Sequence, residues 1–394
     1  MKVGIFVAGL AAALLANAYA DEWKPITDAD QLKAFMISST LTREEGGEQI
    51  RGTYNEDGVG ILYAWGAEFS RTWKIDGDVI EVDADRTTAR FRLEASASDP
   101  DVYRAVDAST GAAYIIRKEA GVAVAEGSVA AGSKSGGPGA ASSSEIAAEL
   151  ANPNSALASM TFKNQFKSYA GDLPDADDQF SYTLLWQPVL PFPLENGDKI
   201  IWRPALPLNI EQPVFNGTDF DGETGLGDFA FDLIYAKNFS SGWMTAAGVF
   251  TSLPTGTEAS MTSGHWTLGP EIYLGWMNKK AVIGALGNHA WDVVGWRDNR
   301  VSASTVSAFA IYLPGGGWNV GTAPIMSYDW VNDQALIPVN LTVGKTIIAK
   351  SGRPWKYALE VNYYVERADT FGPELMIGLN ITPVTVNKLA GLFN

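Results

Sequence analysis

Cysteine is absent from the chain and histidine nearly so, with only His265 and His289 among 394 residues. The first absence excludes disulfides, thiol catalysis, thiolate metal sites and a cysteine-linked lipid anchor. The second excludes a His-rich metal centre and restricts any histidine-dependent catalysis to two positions. Basic residues are also scarce: 29 Lys and Arg against 45 Asp and Glu give a formal charge of −16, the wrong sign for a nucleic-acid partner. Beyond residue 20 there is no window of about 18 uncharged apolar residues, so any membrane span must be built from strands.

The one apolar run is at the start. MKVGIFVAGLAAALLANAYA places Lys2 before Val3 to Leu15 and ends in Ala18-Tyr19-Ala20. That is the plan of a cleavable export signal, and the run is shorter than the ~20 residues a spanning helix needs. What the chain has in abundance is 13 Trp, 14 Tyr, 17 Phe and 40 Gly.

The expected organisation is a signal peptide at 1–20, a small periplasmic mainly-β domain at 21–120, a Gly/Ser/Ala-rich linker at 121–148 and an outer-membrane β-barrel at 149–394. In the first domain, Thr27 or Asp28 caps a helix over Ala29 to Phe35. In SRTWKIDGDVIEVD, alternating apolar residues flank Asp76-Gly77, which predicts a hairpin with a type I′ turn. Further strands are expected over 49–54, 60–65, 90–94 and 113–117. The core of the linker, GSVAAGSKSGGPGAASSS, has no periodic apolar face.

From about residue 157 the sequence repeats a ten-residue strand and a turn. In KYALEVNYYVER, Tyr357, Leu359, Val361, Tyr363 and Val365 alternate with Lys356, Ala358, Glu360, Asn362, Tyr364 and Glu366. In GPELMIGLNITP, Leu375, Ile377, Leu379 and Ile381 oppose Glu374, Gly378, Asn380 and Thr382. Phe229, Phe231, Leu233 and Tyr235 likewise oppose Asp228 and Asp232, while Leu268, Ile272 and Leu274 oppose Thr267, Glu271 and Tyr273. Period two with one hydrocarbon face and one watery face is the signature of a transmembrane strand.

Strands are expected near 157–170, 179–192, 198–211, 227–237, 242–253, 264–277, 280–292, 302–313, 317–328, 336–348, 354–366 and 372–384, giving an all-β fold of about 12 antiparallel strands. PLENGD, KNFSSG, MNKK, PGGG and KSGRP are short connections; GDLPDADD, QPVFNGTDFDGETGLG, PTGTEASMTSG, DVVGWRDNRV and WVNDQA are mostly longer. Bacterial barrels have short periplasmic turns and longer external loops, and an even strand number returns both ends to one side. A soluble sandwich has no reason to keep that asymmetry. Pro188, Pro204, Pro207, Pro270, Pro324 and Pro338 count against regular strands, and each implies a bulge or a break in the ladder.

The segments ELANPNSALASMTFKNQF, YTLLWQPVLPFPL, RPALPL, TGLGDFAF, GVFTSLPTGTE, GALGNHAWDVVG, SYDW and IPVNLTVGK resemble, in order, those of a family of Gram-negative outer-membrane β-barrel proteins. Its members are labelled transporters, phenol-degradation meta-pathway outer-membrane proteins or neuromedin U-like proteins. The resemblance covers about residues 146–386 and implies a transmembrane barrel that passes hydrophobic small molecules. It brings no catalytic residue. The domain at 21–120 and the tail KLAGLFN, with Phe393 next to last, depart from the family pattern.

Candidate lumen-lining residues are Arg203, Asp228, Asp232, Glu271, His289, Lys356, Glu360, Glu366 and Glu374. They mix signs but lean acidic, which predicts a mild preference for cations or neutral solutes. The competing expectation is that these groups pair across a plugged barrel. No catalytic residue, metal site or cofactor is expected, since the glycines of GETGLGDF do not form a nucleotide fingerprint and DFDGE reads as a solvated loop. The expected surroundings are outer-membrane lipid and lipopolysaccharide, with insertion by the barrel assembly machinery. The main function expected is a channel or transporter. The alternatives are a structural or envelope-assembly barrel acting through its first domain, and a barrel enzyme using His289.

Overall fold

The computed structural model describes residues 22–37, 39–45, 48–84, 87–120, 141–349 and 352–392. The export signal at 1–20, most of the linker (121–140) and Phe393 lie outside the described residues. The chain forms two compact units, one holding nearly all of 22–120 and the other running from Ser142 onward.

The first unit is a closed eight-stranded antiparallel barrel with one added strand. In chain order its elements are β1 (Trp23–Ile26), α1 (Ala29–Ile37), β2 (Ser39–Glu45), β3 (Glu48–Tyr54), β4 (Val59–Ala64), β5 (Ala67–Asp76), β6 (Val79–Ala84), β7 (Thr87–Ser96), β8 (Val102–Asp107) and β9 (Ala113–Ala120). Strands β2 to β9 close through β2–β9 and β7–β8 pairing, while β1 lies along β7. Asp28 caps α1 by accepting from the Gln31 N–H at 2.9 Å. Leu32, Phe35 and Met36 recur at helical spacing, and all three enter the core with Trp73, Ile80, Val82, Phe91 and Leu93.

The Asp-Gly hairpin forms with different turn residues. Asp76 is the last residue of β5 and pairs with Val79, so the turn is Gly77-Asp78 with only Gly77 at positive φ, 63°. That is the pattern of a II′ turn, which needs glycine at its first central position.

The second unit opens with α2 (Ser143–Glu149), so the final residues of the expected linker are helical. The reason is local: Ser142 Oγ accepts from the Glu145 N–H and Glu145 accepts in return from the Ser142 N–H at 2.8 Å, a reciprocal capping box. Then follow β10 (Ala158–Ala170), β11 (Phe180–Pro193), β12 (Lys199–Phe215), β13 (Phe220–Leu226), β14 (Phe229–Asn238), β15 (Trp243–Leu253), β16 (His265–Met277), β17 (Ala281–Gly295), β18 (Ser302–Gly315), β19 (Trp318–Thr322), β20 (Ile325–Asp329), β21 (Gln334–Ile348), β22 (Pro354–Glu366) and β23 (Gly372–Thr385).

These strands close into an antiparallel ring of twelve, with β19 and β20 sharing one position and β10 pairing β23. The added β13 hairpin on β12 is the stretch expected to be a plain loop. Its carboxylates serve local contacts, Asp221 accepting from Asn216 and Glu223 from Ser260.

The prolines fall where the ladder is interrupted. Pairing of β11 with β12 lapses between Trp186 and Leu190, around Pro188, and that of β16 with β17 lapses between Leu268 and Glu271, around Pro270. A register shift marks Pro338. Ala323-Pro324 divides β19 from β20, and there the Ala323 N–H donates to Asn340 Oδ1 at 2.7 Å instead of to a strand. A proline has no N–H to give the ladder, so side chains must complete what remains.

Beyond β8, the Asp107 carboxylate accepts from the Ser109 hydroxyl (2.6 Å), the Thr110 N–H and hydroxyl, and the Ser109 N–H. These bonds, led by that from the Ser109 hydroxyl, hold its pKa down at about 2. A depressed carboxylate pKa favours the folded turn above the unfolded value of about 3.9, and the effect is lost as pH falls toward the folded value. In a carbon-13 titration of the full chain, Asp107 should ionise near pH 2, and Ser109→Ala with Thr110→Val should raise that midpoint.

Candidate functional site: the barrel lumen

Alternation fixes which way each side chain points. On β16, Trp266, Leu268, Ile272 and Leu274 face out, whereas His265, Thr267, Glu271 and Tyr273 face in and are buried. The outward set is uncovered: Ile272 is 67% exposed, Val339 62% and Leu359 53%. An aliphatic belt of this kind belongs in hydrocarbon, and only closed barrels or helices satisfy the backbone there. Exposed Trp243 and Trp318 and half-buried Trp276 and Trp355 ring the short-turn end, and Trp266, Trp291, Trp296 and Trp330 lie toward the long loops. The molecule is a transmembrane β-barrel with aromatic girdles.

Inside, the lining changes along the axis. At the short-turn end the wall is apolar, and Ile201, Ile234, Ala236, Met244, Ala246, Tyr273, Val282, Phe309 and Leu313 cluster with Ala151 of the segment entering from α2, Ala148 packing alongside. Residues 142–157 are folded into that mouth. Asn154 is fully buried and donates to the Lys237 and Thr245 carbonyls at the ends of β14 and β15 (3.3 and 3.0 Å). The Gly317 N–H donates to Ser144 Oγ in the tight turn after β18. A Cβ at Gly317 would stand 2.3 Å from the Thr346 carbonyl and 3.0 Å from the Ser143 side chain, so glycine lets this turn close on the helix.

The middle layer is charged. Arg203 donates to Asp232 and to Glu271, each at 2.8 Å, and Asn288 donates to the other Glu271 oxygen at 3.3 Å. Arg203 and Asp232 face each other across β12 and β14, and Glu271 and Asn288 across β16 and β17. Across the lumen wall, Glu360 accepts from Asn340 (3.3 Å), Asn362 (3.1 Å) and Asn380 (2.9 Å). Asp232 and Glu271 thus share one guanidinium, and Glu360 is held by three amides.

The remaining candidates separate. Lys356 and Glu374 are on inward positions of β22 and β23, and Glu366 is exposed at the end of β22. Asp228 precedes β14 and ties down the 254–264 loop, accepting from the Gly256 N–H and from the Ser263 N–H and hydroxyl.

His289 is not on the lumen wall. One residue after inward Asn288, it faces out beside Trp291, its ring centroid 4.2 Å from the indole. Its Nδ1 is 2.7 Å from Ser304 Oγ and its Nε2 3.3 Å from Ser302 Oγ, and Ser304 Oγ also accepts from the Trp330 indole N–H at 3.0 Å. The Ser304 partner was invisible in the sequence because strand pairing supplies it. Among the described residues no carboxylate is hydrogen-bonded to this ring. The cluster satisfies a histidine within the outer girdle.

Sequence reasoning missed two inward lysines: Lys163 and Lys167 alternate with Thr161, Gln165 and Tyr169 on β10, and the expected Lys356 stands two strands away. The signal was present as period two in TFKNQFKSY.

No family model matches the chain, and no curated protein matches it in sequence. Solved structures of similar shape are outer-membrane proteins. The COG4313 outer-membrane channel from Pseudomonas putida F1 is 13% identical, with 58% of this chain and 94% of that chain covered and a TM-score of 0.44. The NanC porin is 12% identical (57% and 98% covered, TM-score 0.37), and outer-membrane phospholipase A from Escherichia coli is 10% identical (57% and 90%, TM-score 0.33).

Arg203 is the keystone of the middle layer, its side chain 13% exposed beside Glu271 at 1%. Arg203→Met would leave two enclosed carboxylates without their cation, a loss of about 3–5 kcal/mol. Urea unfolding of the refolded barrel should show a lowered midpoint, and Asp232→Asn with Glu271→Gln should restore much of it.

Proposed function

We propose that this chain is an outer-membrane channel for small molecules, held closed at its short-turn mouth by residues 142–157. The observation that carries this reading is the mismatch between wall and stopper. A twelve-stranded barrel is wider than side chains alone can fill. Here the mouth is filled by a short helix and an irregular segment, attached through a few side-chain to backbone bonds, and not by the wall itself. Such a stopper can leave without breaking any strand pairing.

In this reading the short turns and the 22–120 domain face the periplasm, and the long loops face lipopolysaccharide. The barrel assembly machinery inserts the chain. The resemblance to the phenol-degradation outer-membrane proteins adds hydrophobic small molecules as candidate cargo. The outward Ser304–His289 pair gives no equal support for an enzyme, because the strand N–H groups around it are engaged in the ladder and no acid orients the ring.

The test is planar-bilayer conductance of three refolded chains: one from Asp21, one from Ala141, and one from Ala158, which lacks the stopper. Steady steps should be largest and most frequent in the chain from Ala158. Silence in all three, with folding verified by heat-modifiable migration, would overturn the channel reading in favour of a structural barrel.

A further inference from the structure

The lumen wall made by β10, β22 and β23 carries charge that the molecule itself does not use. Lys163 lies opposite Asn380, Lys167 opposite Met376, and Lys356 opposite Thr382. Thr382 in turn meets Thr161, their hydroxyls 3.0 Å apart. The three lysines therefore climb one inner wall, with Lys163 and Lys167 about 13 Å apart along β10 at the rise of an extended strand. Lys163 and Lys356 thus flank β23 at successive inward positions, Asn380 and Thr382.

Among the described residues none of these three ammonium groups has a carboxylate within ion-pair distance, although two other lysines, Lys74 and Lys237, do. Of the inward acids, Glu360 is held by three amide donors, Asp232 and Glu271 by Arg203, and Glu374 on β23 pairs with none of the three lysines. Like charges gathered inside a membrane without counter-charge are costly and mark a ligand or ion path, and rings of Lys or Arg line pores for anions. Toward the long loops the ladder is bordered by Met376, Tyr364 and Tyr169, all buried, the last stacked on Phe371 at 4.6 Å. That border offers apolar contact next to the charge.

The geometry points to an anion-binding station in the lumen, formed by Lys163, Lys167 and Lys356 with Thr161, Thr382 and Asn380, that takes the carboxylate of a small organic acid. This deepens the channel reading by naming a cargo class, but binding is measured without current, so a chain that binds and does not conduct keeps the station while losing the channel.

The probe is benzoate, titrated into the full chain in detergent micelles by calorimetry or saturation-transfer NMR, with benzamide as its neutral match and inorganic phosphate as competitor. Benzoate should bind saturably and benzamide at least about tenfold more weakly. Lys163→Gln with Lys356→Gln should weaken benzoate about tenfold or more, Lys163→Arg with Lys356→Arg should retain it, and Lys280→Gln, at a short turn, should leave it unchanged. Should the double Gln variant fail the heat-modifiability check, the double Arg variant and the benzamide comparison decide. Absence of saturable binding, equal affinity for benzamide, or phosphate binding more tightly than benzoate would overturn the assignment.

Discussion

Backbone closure is the constraint on which the rest of the barrel depends. In hydrocarbon an unpaired N–H or C=O costs several kcal/mol, so a sheet that spans a membrane cannot have edges. Pairing of β10 with β23, the first strand with the last, removes both edges at once. It also explains how strand prolines are tolerated. Pro188, Pro270 and Pro338 lie where registers lapse or shift, and at the break before Pro324 an inward asparagine completes the ladder. The closed ring fixes alternation, and alternation decides that Arg203, Asp232 and Glu271 meet inside while Ile272 and Leu359 meet lipid.

Closure creates the second problem, a lumen too wide to pack. The chain solves it differently at different depths. Near the short turns, apolar wall residues are covered by Ala148, Ala151 and their neighbours, a small hydrophobic core built from a wall and a separate segment. At mid-height, charge replaces packing, and the Arg203 fork spans strands β12, β14 and β16 through two carboxylates. A fork with five donors can bridge positions that no aliphatic side chain of that length could hold in register.

The parts of this fold written in period two were legible from the sequence. The twelve wall positions, the order of short and long connections, and the inward placement of Arg203, Asp232, Glu271, Lys356 and Glu360 all follow from alternation within single strands. What was illegible depends on partners distant in the chain. The 142–148 segment reads as the end of a Gly/Ser/Ala-rich stretch because its helix is only seven residues long and its stability comes from the barrel mouth. His289 looked like a lumen residue by chemical type, yet parity with Asn288 places it outside, and parity is the stronger guide. The β13 hairpin was hidden because Gly, Asp and Thr are loop formers, and only continuation of the β12 ladder makes them a strand. In the first domain, Asp-Gly named the hairpin correctly, but the register placed Gly77 one position earlier in the turn.

The same parity argument reshapes the electrostatics. Summing residue types along the strands gives a lumen that leans acidic, whereas the structure shows most of those acids engaged: Asp232 and Glu271 by Arg203, and Glu360 by a trio of amides. The lysines of β10 and β22 have no such partners among the described residues. A chain of formal charge −16 therefore keeps three lysines without a carboxylate partner on one inner wall. Its acidic excess lies largely on the loops and the first domain, where water screens it, and its few enclosed cations act at close range in a medium that screens them little.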